Sequence, residues 1–288
     1  MVKFGCNYSA ELLNLVQEDK LQIDYIKIGA FGPFEDILEE TKEKAPLLIH
    51  GFGWFEDAGT DHLEASHFEH MNHMLNKFES PHLGVHCALF RKDVEHLRPV
   101  LEQEGADAAG IYMEHMLGVV GRYKEALDVP VLLENIDYSP FYNREVTLPE
   151  VVDPGFIADL CEKADVGFLL DLSHAKVSAY HLGMDIYDYL EQLPLERMKE
   201  IHLSGTHCSR KYGEEDVHDA LTEKDYELLE WILEQKMPEV VTLEYGWPGA
   251  DYAWRTHRTL IHSQMTKIQS MVRDIEWYGS VGEEEVSA

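Results

Sequence analysis

The sequence is poor in basic residues, in paired cysteines and in long apolar runs. Lys and Arg number 24 against 54 Asp and Glu, which leaves a formal charge of −30. Such a chain repels phosphate backbones and anionic membranes, so neither a nucleic acid nor a membrane is an expected partner. The same charge suits colloidal solubility, a salt-rich habitat, a basic peptide partner or metal cations. The four cysteines, Cys6, Cys87, Cys161 and Cys208, form no CxxC pair. A disulfide framework is therefore not expected, and a reducing cytoplasm is. No run approaches the roughly 18 apolar residues that a membrane-crossing helix needs. The stretch MVKFGCNYSAELLNL lacks a basic region, an apolar stretch and a small-residue cleavage site, so no signal peptide is expected. Dinucleotide-binding glycines after the first strand, a GxSxG elbow and a phosphate-cradling P-loop are absent too, as are Pro-, Gly- or Ser-rich linkers and repeats at a solenoid period.

What is present is an ordinary globular mix of 45% hydrophobic and 27% charged residues over 288 positions. Short apolar runs alternate with helical patterns. The strand-like runs are Val2–Asn7, Ile23–Ile28, Pro46–His50, His82–His86, Val129–Glu134, Val166–Asp171, Glu200–Leu203 and Glu239–Glu244. Most are near-continuously apolar, as buried parallel strands are. Helical spacing begins near Ala10 and recurs over Val94–Glu104, Pro149–Lys163, Asp185–Leu195 and Glu223–Gln235, with Asp153-Pro154 as a cap-and-proline start. Eight such units predict a (β/α)8 TIM barrel in a single domain, residues 1–278. The Gly-, Ser- and Glu-rich Gly279–Ala288 is expected to be a frayed acidic tail.

The polar residues that interrupt these strands gather at their C-terminal ends. His50, His86, Glu134, Asp171 and Glu244 each close a run, and His202 lies in EIHL. In such a barrel those ends share one face, where sites are built. Asp171-x-x-His174 adds a histidine just past a strand, and Asp216-x-His218 puts two ligand types on one side of an extended segment. A lone histidine is usually an ordinary hydrogen-bonded group, and the two short spacings are weak alone. Six strands ending in ligand-type residues are a stronger sign. All nine side chains offer nitrogen or oxygen and none a thiolate. Carboxylates converging without Lys or Arg would repel one another; divalent cations would remove that cost, and nine ligands imply two or three ions. Iron(II), manganese or zinc suit such donors. His67, His70 and His73 follow i, i+3, i+6 spacing and read as a solvated helical face. His207 and Cys208 follow a site strand without a clear role.

The segments LLENIDYSPF, GFLLDLSHAKVSAYHLGMDIYDYLEQLPLERMKEIHLSGTH and EEDVHDALTEKDYELLEWIL resemble the multinuclear non-haem iron-dependent oxidative enzymes, a family of xylose-isomerase-like barrels. The likeness spans roughly Leu48 to Gly246 and is most specific from Leu169 to His218. It implies two or three iron ions and oxygen-dependent modification of a peptide or small thiol-containing substrate, with a partner protein that can present the peptide. It also implies one site from His50, His86 and Glu134, a second from Glu134, Asp171, His202 and Glu244 with Glu134 bridging, and a third from His174, Asp216 and His218. Many family members carry Asn where His174 stands. The nine-ligand pattern is also similar to the trinuclear zinc site of the endonuclease IV family. The subset Glu134, Asp171, His202 and Glu244 is similar to the single-metal site of sugar isomerases and epimerases, where carboxylates act as acid and base. The ligands alone leave these three readings open.

Overall fold

Ten strands organise the chain in a computed structural model that describes residues 1–53, 57–90, 93–139, 147–248 and 252–286, with side chains to 277. They are β1 (Lys3–Asn7), β2 (Tyr25–Ile28), β3 (Leu47–Ile49), β4 (Leu83–His86), β5 (Val131–Glu134), β6 (Gly167–Asp171), β7 (Met198–Leu203), β8 (Gly205–Ser209), β9 (Gly213–Asp219) and β10 (Val240–Leu243). All but β8 and β9 join one parallel sheet in the order β3-β2-β1-β10-β7-β6-β5-β4. These are the eight apolar runs of the sequence. The sheet's edges, β3 and β4, share no ladder, but Ile49 N–H donates to Ser80 Oγ at 2.9 Å just before β4, and the barrel is nearly closed. Its outer face packs on the surrounding helices through one large apolar cluster.

Local chemistry sets most helix starts. Ser9 Oγ accepts the Leu12 N–H ahead of the helix Ala10–Gln17. Asp153 accepts the Phe156 N–H with Pro154 in the first turn of Pro154–Ala164, and Thr222 and Asp225 form a capping box on Glu223–Gln235. The expected helix Val94–Glu104 does not form as one piece. A 3-10 turn, Glu95–Leu97, is followed by a short helix, Arg98–Leu101. Pro99 lacks the N–H that a continuous helix would use and fits only a first turn. Two longer helices, Ala108–Ala126 and Arg258–Val286, went unforeseen. The tail from Gly279 lies outside the described side chains. No described helix is long and apolar enough to cross a membrane.

The strands β8 and β9 pair antiparallel beyond β7. Their register slips between Gly205 and Thr206, so that β9 bulges between Asp216 and Asp219. His218, in that bulge, takes φ +50°, a left-handed conformation usual for glycine. Gly205 sits so close to the returning chain that a Cβ there would lie 2.3 Å from the Ala220 carbonyl oxygen. Lys176 Nζ donates to Thr206 Oγ1 at 2.7 Å and fixes the hairpin to the helix Leu172–Leu182.

Candidate metal centre

The parallel register delivers the strand-end side chains in pairs. His86 lies beside Glu134 and Asp171 beside His202. His50 and Glu244 stand one residue past β3 and β10. Alternation along the strand then puts Glu200 below His202 and Thr242 below Glu244, all within the barrel. All nine side chains singled out from the sequence meet at this mouth.

Glu134 is central. Its Oε2 lies 3.4 Å from His50 Nε2 and 3.7 Å from His86 Nε2, and its Oε1 lies 3.1 Å from His202 Nδ1. His202 Nδ1 is also 3.4 Å from Glu244 Oε1 and 3.9 Å from Asp171 Oδ2. The third group comes from the hairpin: Asp216 Oδ2 is 3.5 Å from His174 Nε2 and 3.4 Å from His218 Nε2, and His218 Nδ1 is 3.5 Å from Glu244 Oε2.

Neighbouring groups decide which atom of each ligand faces inward. Asp171 caps the helix Leu172–Leu182, where Oδ1 accepts from His174 N–H and Ser173 Oγ. Its Oδ2 is left buried with no hydrogen-bond partner, as is Glu134 Oε2. His174 Nδ1 reaches toward Glu134 and Asp171, but it lies 2.8 Å from the Asn135 carbonyl. An imidazole N–H donated there leaves Nε2 for Asp216 and His218. His202 Nε2 meets Glu200 at 3.2 Å, which leaves Nδ1 for the centre. Asn135 locks the ends of β5 and β6 by accepting from Asp171 N–H and donating to its carbonyl. Asp57 lies 3.4 Å from His86 Nδ1.

The carboxylates at the mouth do have a basic neighbour, contrary to the expectation that they lack one. Lys27, 4% exposed at the end of β2, pairs with Glu244 and lies 3.1 Å from both ring nitrogens of His202. Burial pushes its ammonium pKa down, but Glu244, Glu134 and Glu200 outweigh this and hold it above the ordinary value. Burial and Lys27 likewise push His202 down, and Glu244, Glu134 and Glu200 raise it to about 10. Burial would raise Glu134, but His202, His50 and His86 hold it well below the carboxylate range. Burial and Lys27 push His50 down, so it stays a neutral imidazole with a lone pair to give. The donor set fits metal ions. Buried and half-buried nitrogen and oxygen atoms converge in overlapping groups that could each hold an ion, His50 with His86 and Glu134 and Asp171 with His202 and Glu244 among them. Two carboxylate oxygens have no hydrogen-bond partner, and although burial would lower them, acidic neighbours hold the imidazoles of His202 and His174 above their ordinary range, so the centre attracts positive charge.

Sequence reasoning missed Lys27, Asp57, Asn135 and Glu200. A lysine within the apolar run IDYIKI and an asparagine directly after Glu134 were the available signals. The histidines of the helix Ala65–Phe78 stay apart from the mouth: His67 joins the capping box at its start, and His70 and His73 are exposed. His70→Ala is accordingly expected to leave the metal content of the purified protein unchanged, and a large loss on elemental analysis would misplace the centre. Gly84 is more sensitive, because a Cβ there would stand 3.0 Å from His50 Nδ1 and from Leu169 Cδ1. Gly84→Ala should shift the imidazole by a few tenths of an ångström and weaken metal retention about tenfold, read as the EDTA concentration that strips half the metal. Unchanged retention would show that His50 moves freely.

The model of a protein family described as RiPP precursor modification enzyme MbnB/TglH/ChrH matches residues 3–251. The chain belongs to this family. RiPPs are ribosomally synthesised, post-translationally modified peptides, so the MbnB/TglH/ChrH enzymes act on peptide precursors. The chain is 26% identical over 220 residues to a UPF0276 protein of Paraburkholderia phytofirmans, covering 74% of this chain and 68% of that one. It is 28% identical over 218 residues to one of Bordetella pertussis, at 74% and 73% coverage. Among solved structures, a xylose isomerase domain containing protein from Salmonella typhimurium superposes with a TM-score of 0.60 at 12% identity, over 94% of this chain and 97% of that one. D-psicose 3-epimerase from Clostridium cellulolyticum gives 0.58 at 12% identity, over 95% and 99%. These two likenesses establish the xylose-isomerase-like barrel and nothing of the chemistry.

Proposed function

We propose that this MbnB/TglH/ChrH member is a multinuclear non-haem iron-dependent oxidase. It would act on a peptide or small thiol-containing substrate at the C-terminal face of the barrel, with two or three iron ions in place. The observation that carries this reading is Glu134, whose two oxygens face different sets of histidines. His50, His86 and Glu134 would hold one ion. Glu134, Asp171, His202 and Glu244 would hold a second, and His174, Asp216 and His218 a third. Zinc or manganese would satisfy the same donors. Bound iron would supply redox chemistry with dioxygen. The chain's own residues do the rest: Asn135, Glu200 and Asp57 orient the imidazoles, and burial keeps water from the carboxylates.

A single-metal sugar isomerase would use only Glu134, Asp171, His202 and Glu244, leaving five converging side chains without a task. An endonuclease must grip DNA, which a charge of −30 opposes. A partner protein that presents the peptide belongs to the same proposal. So does a cytoplasmic site of action, supported by four unpaired cysteines, three of them buried.

The test is elemental analysis of protein purified without added metal, followed by Fe(II) loading and exposure to air. About two or three equivalents of iron and a visible absorption band are expected. A colourless protein that retains only zinc would overturn the oxidase reading.

A further inference from the structure

We propose that Arg255 anchors a carboxylate of the peptide substrate at the rim of the metal centre. The inference rests on the peptide-modifying reading above and adds a binding element to it. Arg255 ends the short turn Ala253–Arg255 and is 7% exposed. A guanidinium so deeply placed ordinarily has a carboxylate partner, because an unpaired buried charge is costly. Among the described residues Arg255 has no ion pair, although the chain carries 54 acidic residues, and its Nε is buried without a hydrogen-bond acceptor.

Aromatic rings hold it instead. Its Cζ lies 4.8 Å from the ring centres of both Trp247 and Tyr252, and 5.8 Å from that of Trp254. Ring faces attract the cation but do not accept the directional N–H bonds of the fork. The cage therefore fixes the guanidinium while leaving its donors for an incoming acceptor. Burial pushes its pKa down, and the charges of Glu244, Tyr252 and Asp216 oppose that shift. Trp247 ties the two regions together. It stacks on Arg255, and it also lines a cavity of about 140 Å³ with Phe31, Phe34, His50, Glu244 and Lys27. A substrate residue in that cavity would reach two of the proposed ligands with its carboxylate within range of the cage. A chain of charge −30 repels an anionic peptide at a distance, so capture of one calls for a local cation. Arg is suited to it because its planar fork meets a carboxylate with two parallel bonds.

Binding to the iron-loaded protein without oxygen tests this, by calorimetry and tryptophan quenching. The probes are N-acetyl-glycyl-cysteine, its C-terminal amide, N-acetyl-aspartyl-cysteine amide and thiol-free N-acetylglycine. The free acid should bind at least about tenfold tighter than its amide. Arg255→Gln should bring the acid down to the level of the amide and leave the amide unchanged, and Arg255→Lys should keep part of the preference. If the aspartyl amide also gains in an Arg255-dependent way, the anchor takes an acidic side chain; if it does not, it takes a peptide C-terminus. Equal binding of acid and amide to the wild type, or equal weakening of both by Arg255→Gln, would overturn the anchor while the peptide reading stands. Arg255-dependent binding of N-acetylglycine with no gain from the thiol would keep the anchor and overturn the thiol reading. Binding of none of the probes would overturn both. Should Arg255→Gln fail to fold, Arg255→Lys alone carries the comparison.

Discussion

Glu134→Gln should cost the protein more than one equivalent of metal. The substitution keeps size and shape but replaces one carboxylate oxygen with an amide NH2, which cannot bind a cation, and removes the charge. An ordinary terminal ligand serves one ion. Glu134 faces His50 and His86 with Oε2 and His202 with Oε1, and Oε2 is buried without any hydrogen bond. Loss of this group therefore weakens two positions together. Changes at groups that merely orient ligands already reduce metal affinity about 10- to 100-fold, and direct loss of a shared ligand should exceed that. Elemental analysis beside His50→Ala supplies the scale, since the histidine serves one position and its removal should release about one equivalent. If Glu134→Gln retained its full metal complement, Glu134 would not be a bridge. Glu134→Asp is the folding control: it keeps the charge, withdraws the oxygens by one methylene and should also lose metal.

Six of the nine converging side chains were legible because parallel barrel strands are apolar on both faces. A polar residue closing such a strand stands out, and His86, Glu134 and Asp171 occupy the last positions of their ladders. His174 was legible only through its spacing from Asp171, since nothing local separates it from a helix-surface histidine. The sequence places Asp216 and His218 on one extended segment; β9 carries both, but His218 leaves extended geometry at φ +50° in the bulge, and the hairpin that aims them has no sequence signal. GEEDVHD has acidic residues at most of its positions and carries little strand pattern. Lys27 was hidden for a different reason. A lysine near a strand end looks like any surface lysine, and its environment is set by Glu244, 217 residues away, and His202, 175 residues away. Only closure of the barrel brings them together. The helix Val94–Glu104 was overread because apolar spacing outweighed Pro99, whose missing N–H the fold respects.

Lys27 also yields the second large effect. Lys27→Met keeps length and apolar bulk but removes the lysine that pairs with Glu244 inside the mouth. The metal-free variant is left with Glu244 and its acidic neighbours short of a cation. Breaking a buried ion pair from one side costs about 3–5 kcal/mol, which for a chain of this size lowers the melting temperature by on the order of 10 °C. Metal supplies the missing charge at the same carboxylates, and ligands that bind only the folded state stabilise it by mass action. The deficit of Lys27→Met should therefore be large in EDTA and mostly restored by saturating Fe(II) under nitrogen, while the wild type gains less from the same addition. Melting curves of both proteins, with and without metal, give the four numbers required. An equal deficit in both conditions would show that the positive charge beside Glu244 and His202 has no connection with the cations proposed for this site.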